Sequence, residues 1–358
     1  MLIHAAPAVG RAIDLPKPYL LFVGDARSAG FAKTAFGLKD WAAESCVGEC
    51  ASSPEAVSTG LPRMSPREAQ ARGAKSIVIG VAAVGGAIAL GWLPVLIEAL
   101  EAGLDIVSGM HSRLEDVPAL EAAVERTGRQ FFDVRRPPPD IPVASGRRRS
   151  GKRLLTVGTD CALGKKYTAL SLSRAFAARR IDVQFRATGQ TGIMIAGGGI
   201  PIDAVIGDFA AGAAEILSPD ADDAHWDIIE GQGSLFHPAY AGVSLALLHG
   251  SQPDVIVLCH EPARTHVIGY PDYALPTVEA AIGLNLTLGA RTNSAIRCAG
   301  VSVNTSGMAE SEAAAVIGEL ERTLRLPVAD PIRGGEPLQR LVDACLDRPA
   351  SPSGREAR

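Results

Sequence analysis

The chain has 358 residues, 47% of them hydrophobic and 21% charged, which is ample apolar material for two packed α/β domains and excludes global disorder. Thirty-five basic side chains against 39 acidic ones leave a formal charge of −4, the wrong sign for a protein that neutralises nucleic-acid phosphates. Six cysteines at 46, 50, 161, 259, 298 and 345, with no C-x-x-C pair, argue against a disulfide scaffold and for reduced thiols in a cytoplasmic protein.

The first twenty residues lack the basic start and apolar run of a signal peptide. Short β-branched runs follow, at residues 19–23 (YLLFV), 76–81 (SIVIGV) and 104–107 (LDIV), alternating with helical spacing at 94–102 and 120–127. This alternation predicts a small parallel sheet covered by helices. Residues 76–97 carry no charge, but Gly80, Gly85, Gly86, Gly91 and Pro94 divide them into strand, glycine turn and helix rather than a membrane span. Asp25, Arg27, the Gly85-Gly86 pair and His111 follow strands, where a parallel sheet opens its ligand crevice.

Between Arg135 and Arg153 the composition breaks: RRPPPDIPVASGRRRSGKR holds four prolines and seven basic residues against one acid. Three consecutive prolines continue neither helix nor ladder, so an extended linker is expected over 137–150. Its charge is read first as keeping it solvated, and second as a contact with an anionic ligand or domain. It separates a domain over 1–136 from one over 151–347, with a frayed tail at 348–358. In the second domain, strands are expected at 154–157, 182–186, 226–230, 254–259 and 299–304, and helices at 165–180, 208–216, 277–284 and 310–324.

The most informative stretch is RLLTVGTDCALGKKYTALSLSRAF. An apolar strand runs into Gly158, and Gly164-Lys165 opens a helix. Glycines let the backbone wrap an anion, the N–H groups and helix N-terminus supply positive potential, and the lysine reaches phosphate oxygens. Gly158, Thr159, Asp160, Cys161, Gly164, Lys165 and Lys166 are therefore candidate cofactor-binding residues. Five residues separate the two glycines instead of four, and Lys166 replaces the Ser or Thr whose hydroxyl holds Mg²⁺ in the common loop.

Three further stretches carry candidates. In WDIIEGQGSLFHP, Glu230 ends a strand and His237 follows in its loop, both suited to proton transfer. In FRATGQTGIM, Arg186 ends a strand and Gln190 and Thr191 sit between glycines; downstream, Asp203 and Asp208 flank a helix start, one of them as an N-cap. In VLCHEPARTHVIGYPDYALPT, His260, Glu261, Arg264 and His266 crowd a strand exit, and arginine there suits a carboxylate or phosphate. Asn304-Thr305 after AGVSV is a candidate nucleobase or ribose contact, and Asp330 closes a late loop. No metal ligand set is expected.

The loop GTDCALGK resembles the G-T-D-x-x-x-G-K-T loop of dethiobiotin synthetase and its relatives, and IIEGQGS is similar to their V-E-G-A-G-G segment. With FRATGQTGIM, DFAAGAAE, EPARTHVIGYPDYALPT and VADPIRGG, the chain from about Tyr19 to about Cys345 resembles the DgcN-type D-glutamate N-acetyltransferase family. The resemblance implies an α/β fold of two domains, a Rossmann-like parallel sheet followed by a P-loop NTPase-like doubly wound sheet. It also implies acetyl transfer from acetyl-CoA as co-substrate to the amino group of D-glutamate. On that reading Lys165 and the backbone from Thr159 to Gly164 hold the CoA phosphates, and Glu230, with His237 and His260 as rivals, deprotonates the attacking ammonium. Arg264 and Arg186, with Gln190 and Thr191, bind the substrate. An acetyl-Cys161 route ranks below direct transfer. CoA chemistry needs no Mg²⁺, which fits Lys166. The alternatives are an ATP/Mg-dependent carboxylate-activating ligase or kinase and a nucleotide-controlled interaction protein; an NAD enzyme ranks last. The expected partner is a small-molecule substrate, in a homo-oligomer without nucleic acid or membrane.

Overall fold

The computed structural model describes residues 15–81 and 88–347. The Gly85-Gly86 turn and the tail from Arg348 fall outside these residues. The chain forms two compact units, which divide it in an unexpected way: the first runs to Asp140 and also takes Ala187–Ala204, and the second takes Ile141–Arg186 and the chain from Val205 on.

In the first unit, β1 (Tyr19–Phe22), α1 (Lys33–Trp41), β2 (Cys46–Cys50), α2 (Pro66–Ala71), β3 (Ser76–Ile79), α3 (Leu93–Glu101), β4 (Asp105–Ser108), α4 (Pro118–Thr127) and β5 (Phe131–Asp133) alternate. The strands pair all-parallel in the order β2-β1-β3-β4-β5. YLLF and SIVI are buried along their whole length, as strands covered on both faces must be. CVGEC and FFD lack such a run, which is why β2 and β5 escaped the sequence reading.

The second unit begins with β6 (Lys152–Gly158), α5 (Lys165–Ala178) and β7 (Val183–Arg186). The chain then makes α6 (Gln190–Ala196), which belongs to the first unit. It continues through α7 (Gly207–Leu217), β8 (Trp226–Ile229), α8 (Ala241–Ser251), β9 (Val255–His260), the antiparallel hairpin β10 (His266–Val267) and β11 (Tyr270–Ala274), α9 (Val278–Gly289), β12 (Arg297–Val303), α10 (Glu310–Leu324), β13 (Val328–Ala329) and α11 (Gly335–Leu346). The main sheet is all-parallel, in the order β13-β12-β9-β6-β8-β7. Its core packs Leu154, Leu172, Phe176, Trp226 and Val257 together, with Phe176 and Trp226 edge to face at 5.5 Å. The order reverses at β6, so the loop leaving β6 lies at the switch point, flanked by the ends of β8 and β9. That topology places the site. The hairpin was not anticipated, because Pro271 within β11 disguises a strand.

Two expectations are corrected by packing. Gln190 and Thr191 do not stay with the phosphate-loop sheet. The Thr191 hydroxyl bonds that of Thr34 at 3.0 Å, Tyr19 donates to Met194 O at 3.3 Å, and Arg135 pairs with Asp203 at 2.9 Å. Nor is the basic run merely solvated. From Ile141 on it packs within the second unit, where Arg147 pairs with Asp220 and Arg148 with Asp254. The buried Arg149 guanidinium donates to the carbonyls of Glu215, Ser218 and Gly250. These carbonyls lie at the carboxyl ends of α7 and α8, where helices leave acceptors unpaired and favour a cation. Burial, with Arg153 beside it, lowers the Arg149 pKa to about 10, so it is charged at neutral pH.

Replacing Arg149 by methionine keeps the buried stem but strands those carbonyls. This should cost about 2–4 kcal/mol, read as a lower urea midpoint. Arg147→Ala, on an exposed pair, should leave the midpoint nearly in place.

Candidate phosphate-loop site

Three segments meet at the carboxyl ends of β6, β8 and β9: residues 158–165, 230–240 and 260–270. Between Gly158 and Lys165 the backbone turns left-handed at Ala162 (φ 54°) and at Gly164 (φ 102°), the N-cap of the fourteen-residue α5. Such reversals ahead of a helix N-terminus build a concavity of N–H groups for an anion, and glycine carries the second without strain. Lys165 lies at its floor, buried, with Nζ donating to Asp160 O at 2.7 Å. Burial pushes the ammonium pKa down, while the neighbouring Cys259 and Cys161 thiols and Asp160 pull it up. The floor requires a second glycine: a Cβ on Gly231 would lie 1.6 Å from Thr156 O and 3.1 Å from Lys165 Cδ. Gly231 N instead donates to Thr156 Oγ1 at 2.9 Å, tying the segment after β8 to β6.

Asp160 was expected among the cofactor-binding residues. Its carboxylate is fully buried and engaged on both oxygens. Oδ1 accepts from Cys161 N at 2.6 Å; Oδ2 accepts from Ile268 N at 2.8 Å and from Arg264 at 3.0 Å. Buried carboxylates require such partners. Asp160 therefore shapes the loop and pins the β10–β11 turn to it. Arg264, expected at the substrate, straps the same loop: it donates to Cys161 O at 2.7 Å and Ala162 O at 3.4 Å, and pairs with Glu261. Thr159 is held by Cys259 O, Ser234 and His260, whose Nδ1 lies 3.1 Å from its hydroxyl.

The three acid–base candidates differ in chemistry. His237 Nδ1 accepts the Ala239 N–H at 3.1 Å, so the hydrogen of the neutral ring sits on Nε2, which faces Asp160 Oδ1 at 4.0 Å. Asp160, Cys161 and His237 present ligand-type atoms within 4.8 Å of one another, but that tautomer leaves Nε2 no lone pair for a metal. His260 is half-buried, and burial lowers its pKa, keeping it neutral at neutral pH. Glu230 is buried directly after β8.

Elsewhere, the expected residues have other work. Arg186 pairs with the buried Asp227 at 2.6 Å in the second unit, while Gln190 and Thr191 belong to the first, so the expected substrate residues are not brought together in either unit. Lys166 Nζ lies 5.3 Å from the centre of the Tyr167 ring. The Thr168 hydroxyl bonds Ser302 at 2.8 Å and so does not replace a metal-binding hydroxyl after the loop lysine. Asn304 follows β12, with its N–H on His260 O and its Oδ1 accepting from Ser306 N at 3.1 Å. Asp330 receives the Thr305 hydroxyl at 2.6 Å. Thr156, Ser234 and Ile268 escaped the sequence reading, because their roles are set by partners across the sheet.

The lowered pKa of His260 predicts a pH effect. Unfolded, the imidazole takes a proton near 6.5, whereas the native ring resists until a lower pH. Stability should therefore fall as pH drops below about 6.5, because the unfolded state then binds more protons. Urea midpoints across pH should show a shallower fall in His260→Gln.

Comparison with known proteins agrees with this architecture. The family described as "Domain of unknown function (DUF1611_C) P-loop domain" matches residues 142–342, and "Domain of unknown function (DUF1611_N) Rossmann-like domain" matches residues 44–137. Curated relatives named D-glutamate N-acetyltransferase, from Tritonibacter scottomollicae and a Pseudoalteromonas species, are 51% and 48% identical over 327 and 323 residues. The alignments cover 91% and 90% of this chain and 98% and 97% of those proteins. A crystal structure of a DUF1611 family protein from Anabaena variabilis is 32% identical with a TM-score of 0.82, over 92% of this chain and 98% of that one. The two-domain α/β fold and the family resemblance expected from GTDCALGK and its companion segments are both borne out. With its amino-terminal Rossmann-like and carboxy-terminal P-loop parts, the chain belongs to the DUF1611 family.

Proposed function

We propose that this protein transfers the acetyl group of acetyl-CoA to the amino group of D-glutamate. The observation that carries this reading is identity of about one half, along nearly the whole chain, to two relatives named for that activity. The loop chemistry supports it. A concavity of N–H groups with the Lys165 ammonium at its floor suits the diphosphate of a CoA donor, and acyl transfer leaves that diphosphate intact. Phosphoryl transfer would need Mg²⁺ held beside the loop. Here Lys166 stands in the place of the metal-binding hydroxyl, and the Thr168 hydroxyl is engaged by Ser302.

In the transfer, the amine lone pair attacks the thioester carbonyl carbon, a C–N bond forms, the C–S bond breaks, and the proton lost by the new amide nitrogen ends on the departing CoA thiolate, which leaves as the thiol. The substrate ammonium must first lose a proton. His260 suits that role best, being neutral and half-buried beside Thr159. His237, whose Nδ1 is occupied, offers only an N–H and suits the developing oxyanion. Glu230 is the rival base. Direct transfer needs no acetyl-Cys161, so Cys161→Ser should keep turnover.

The assay is release of free thiol from acetyl-CoA in the presence of each enantiomer of glutamate. Thiol should appear with D-glutamate. Lys165→Ala should raise KM for acetyl-CoA roughly 10- to 100-fold, the worth of a charge-assisted hydrogen bond. Loss of turnover in His260→Gln, with Glu230→Gln active, would identify the base. Thiol release with neither enantiomer, together with ADP formation from ATP and Mg²⁺, would overturn the reading.

A further inference from the structure

The second unit carries three clustered tyrosines around His237 that none of the chemistry above uses. Tyr240 packs on His237 with ring centres 4.5 Å apart, Tyr270 meets His237 edge-on at 5.1 Å, and Tyr273 meets Tyr270 edge-on at 5.9 Å. Three of the chain's five tyrosines are here, in a protein with only 5% aromatic residues. Tyr240 and Tyr273 are each 53% exposed, so the outer rings present open surface rather than filling a core.

The cluster is fixed relative to the phosphate loop. Tyr270 and Tyr273 stand on β11, and the turn joining β11 to β10 is held by Ile268 N on Asp160 Oδ2. The inner ring, His237, faces the other oxygen of the same carboxylate. Leu275 N donates to Thr265 O at 2.9 Å, closing the base of the hairpin. From His237, beside the loop, the row of rings runs outward on both sides, to the exposed Tyr240 on one and through Tyr270 to the exposed Tyr273 on the other.

We infer that this row is the stacking platform for the adenine ring of the nucleotide whose diphosphate the loop holds. The inference rests on the acetyl-CoA reading for the identity of that nucleotide. A π-face accepts a base without reading its edge, and a platform indexed to the phosphate site binds both ends of one ligand at once. The competing occupant is a second copy of this chain, because exposed tyrosines also suit a protein interface.

The test compares Tyr240→Ala, Tyr273→Ala and the matching Phe variants with two acetyl donors, acetyl-CoA and S-acetyl-4′-phosphopantetheine, which lacks the adenosine part. Binding of CoA and of ADP is measured in parallel by calorimetry, independently of turnover. The Ala variants should raise KM for acetyl-CoA about 10-fold and weaken ADP binding similarly, with kcat kept, Phe restoring affinity, and the truncated donor indifferent to either change. Unchanged KM and ADP affinity in the Ala variants would overturn the platform. So would equal losses with both donors, wild-type protein that binds neither CoA nor ADP, or variants whose only change is a smaller assembly by light scattering. Absence of thiol release alongside ring-dependent ADP binding would sink the acetyl-transfer reading and leave the platform standing.

Discussion

The site depends on one buried carboxylate. Asp160 has no contact with solvent, and an unpartnered charge there would cost several kcal/mol. Its oxygens are therefore bound to take what the surrounding chain offers: the N–H of Cys161 inside the loop, the N–H of Ile268 in the hairpin turn and the guanidinium of Arg264. Through that requirement, parts of the chain more than 100 residues apart are locked into one arrangement. The curvature of the phosphate loop and the position of the hairpin follow from the same demand.

The lysine beneath the loop depends on the opposite property, the absence of a side chain. Lys165 can lie between β6 and the segment after β8 because Gly231 has no Cβ to meet Thr156 O. The Asp160 carbonyl that accepts from Lys165 Nζ, and the negative charge of the Asp160 side chain, offset part of the cost of placing an ammonium in so enclosed a site. The same economy governs Arg149, which is buried at the ends of α7 and α8 because those ends expose carbonyls that need a cation. In both places the buried cation donates to backbone carbonyl oxygens.

The two histidines beside the loop show how one hydrogen bond divides similar residues. A backbone N–H on Nδ1 makes His237 a fixed donor, while the hydroxyl of Thr159 can either give or receive, leaving the His260 ring free to exchange a proton. Nothing in FHPAY or LCHEP distinguishes them as residue types. The difference arises from which backbone group the fold points at each ring.

The sequence by itself determined the local physics. Apolar runs named the strands β1, β3, β4, β6, β7, β8, β9 and β12, helical spacing named α3, α4, α5, α7, α9 and α10, and Gly158 to Lys165 marked a glycine turn between a strand and a helix as the candidate phosphate loop. These features depend on neighbours along the chain and are therefore readable from it. Only the tertiary structure decided how the long-range partners were assigned. Residues 187–204 join the first unit because Tyr19 and Thr34, some 150 or more positions away, supply their contacts. The basic run becomes a helix-capping strap because α7 and α8 end beside it. Asp160 and Arg264 become braces of the loop rather than open ligand groups, and three scattered tyrosines become one surface. The physical reason is the same throughout: backbone conformation is set mainly by adjacent residues, whereas the partner of a buried charge or ring is whatever the packed chain places within a few ångströms.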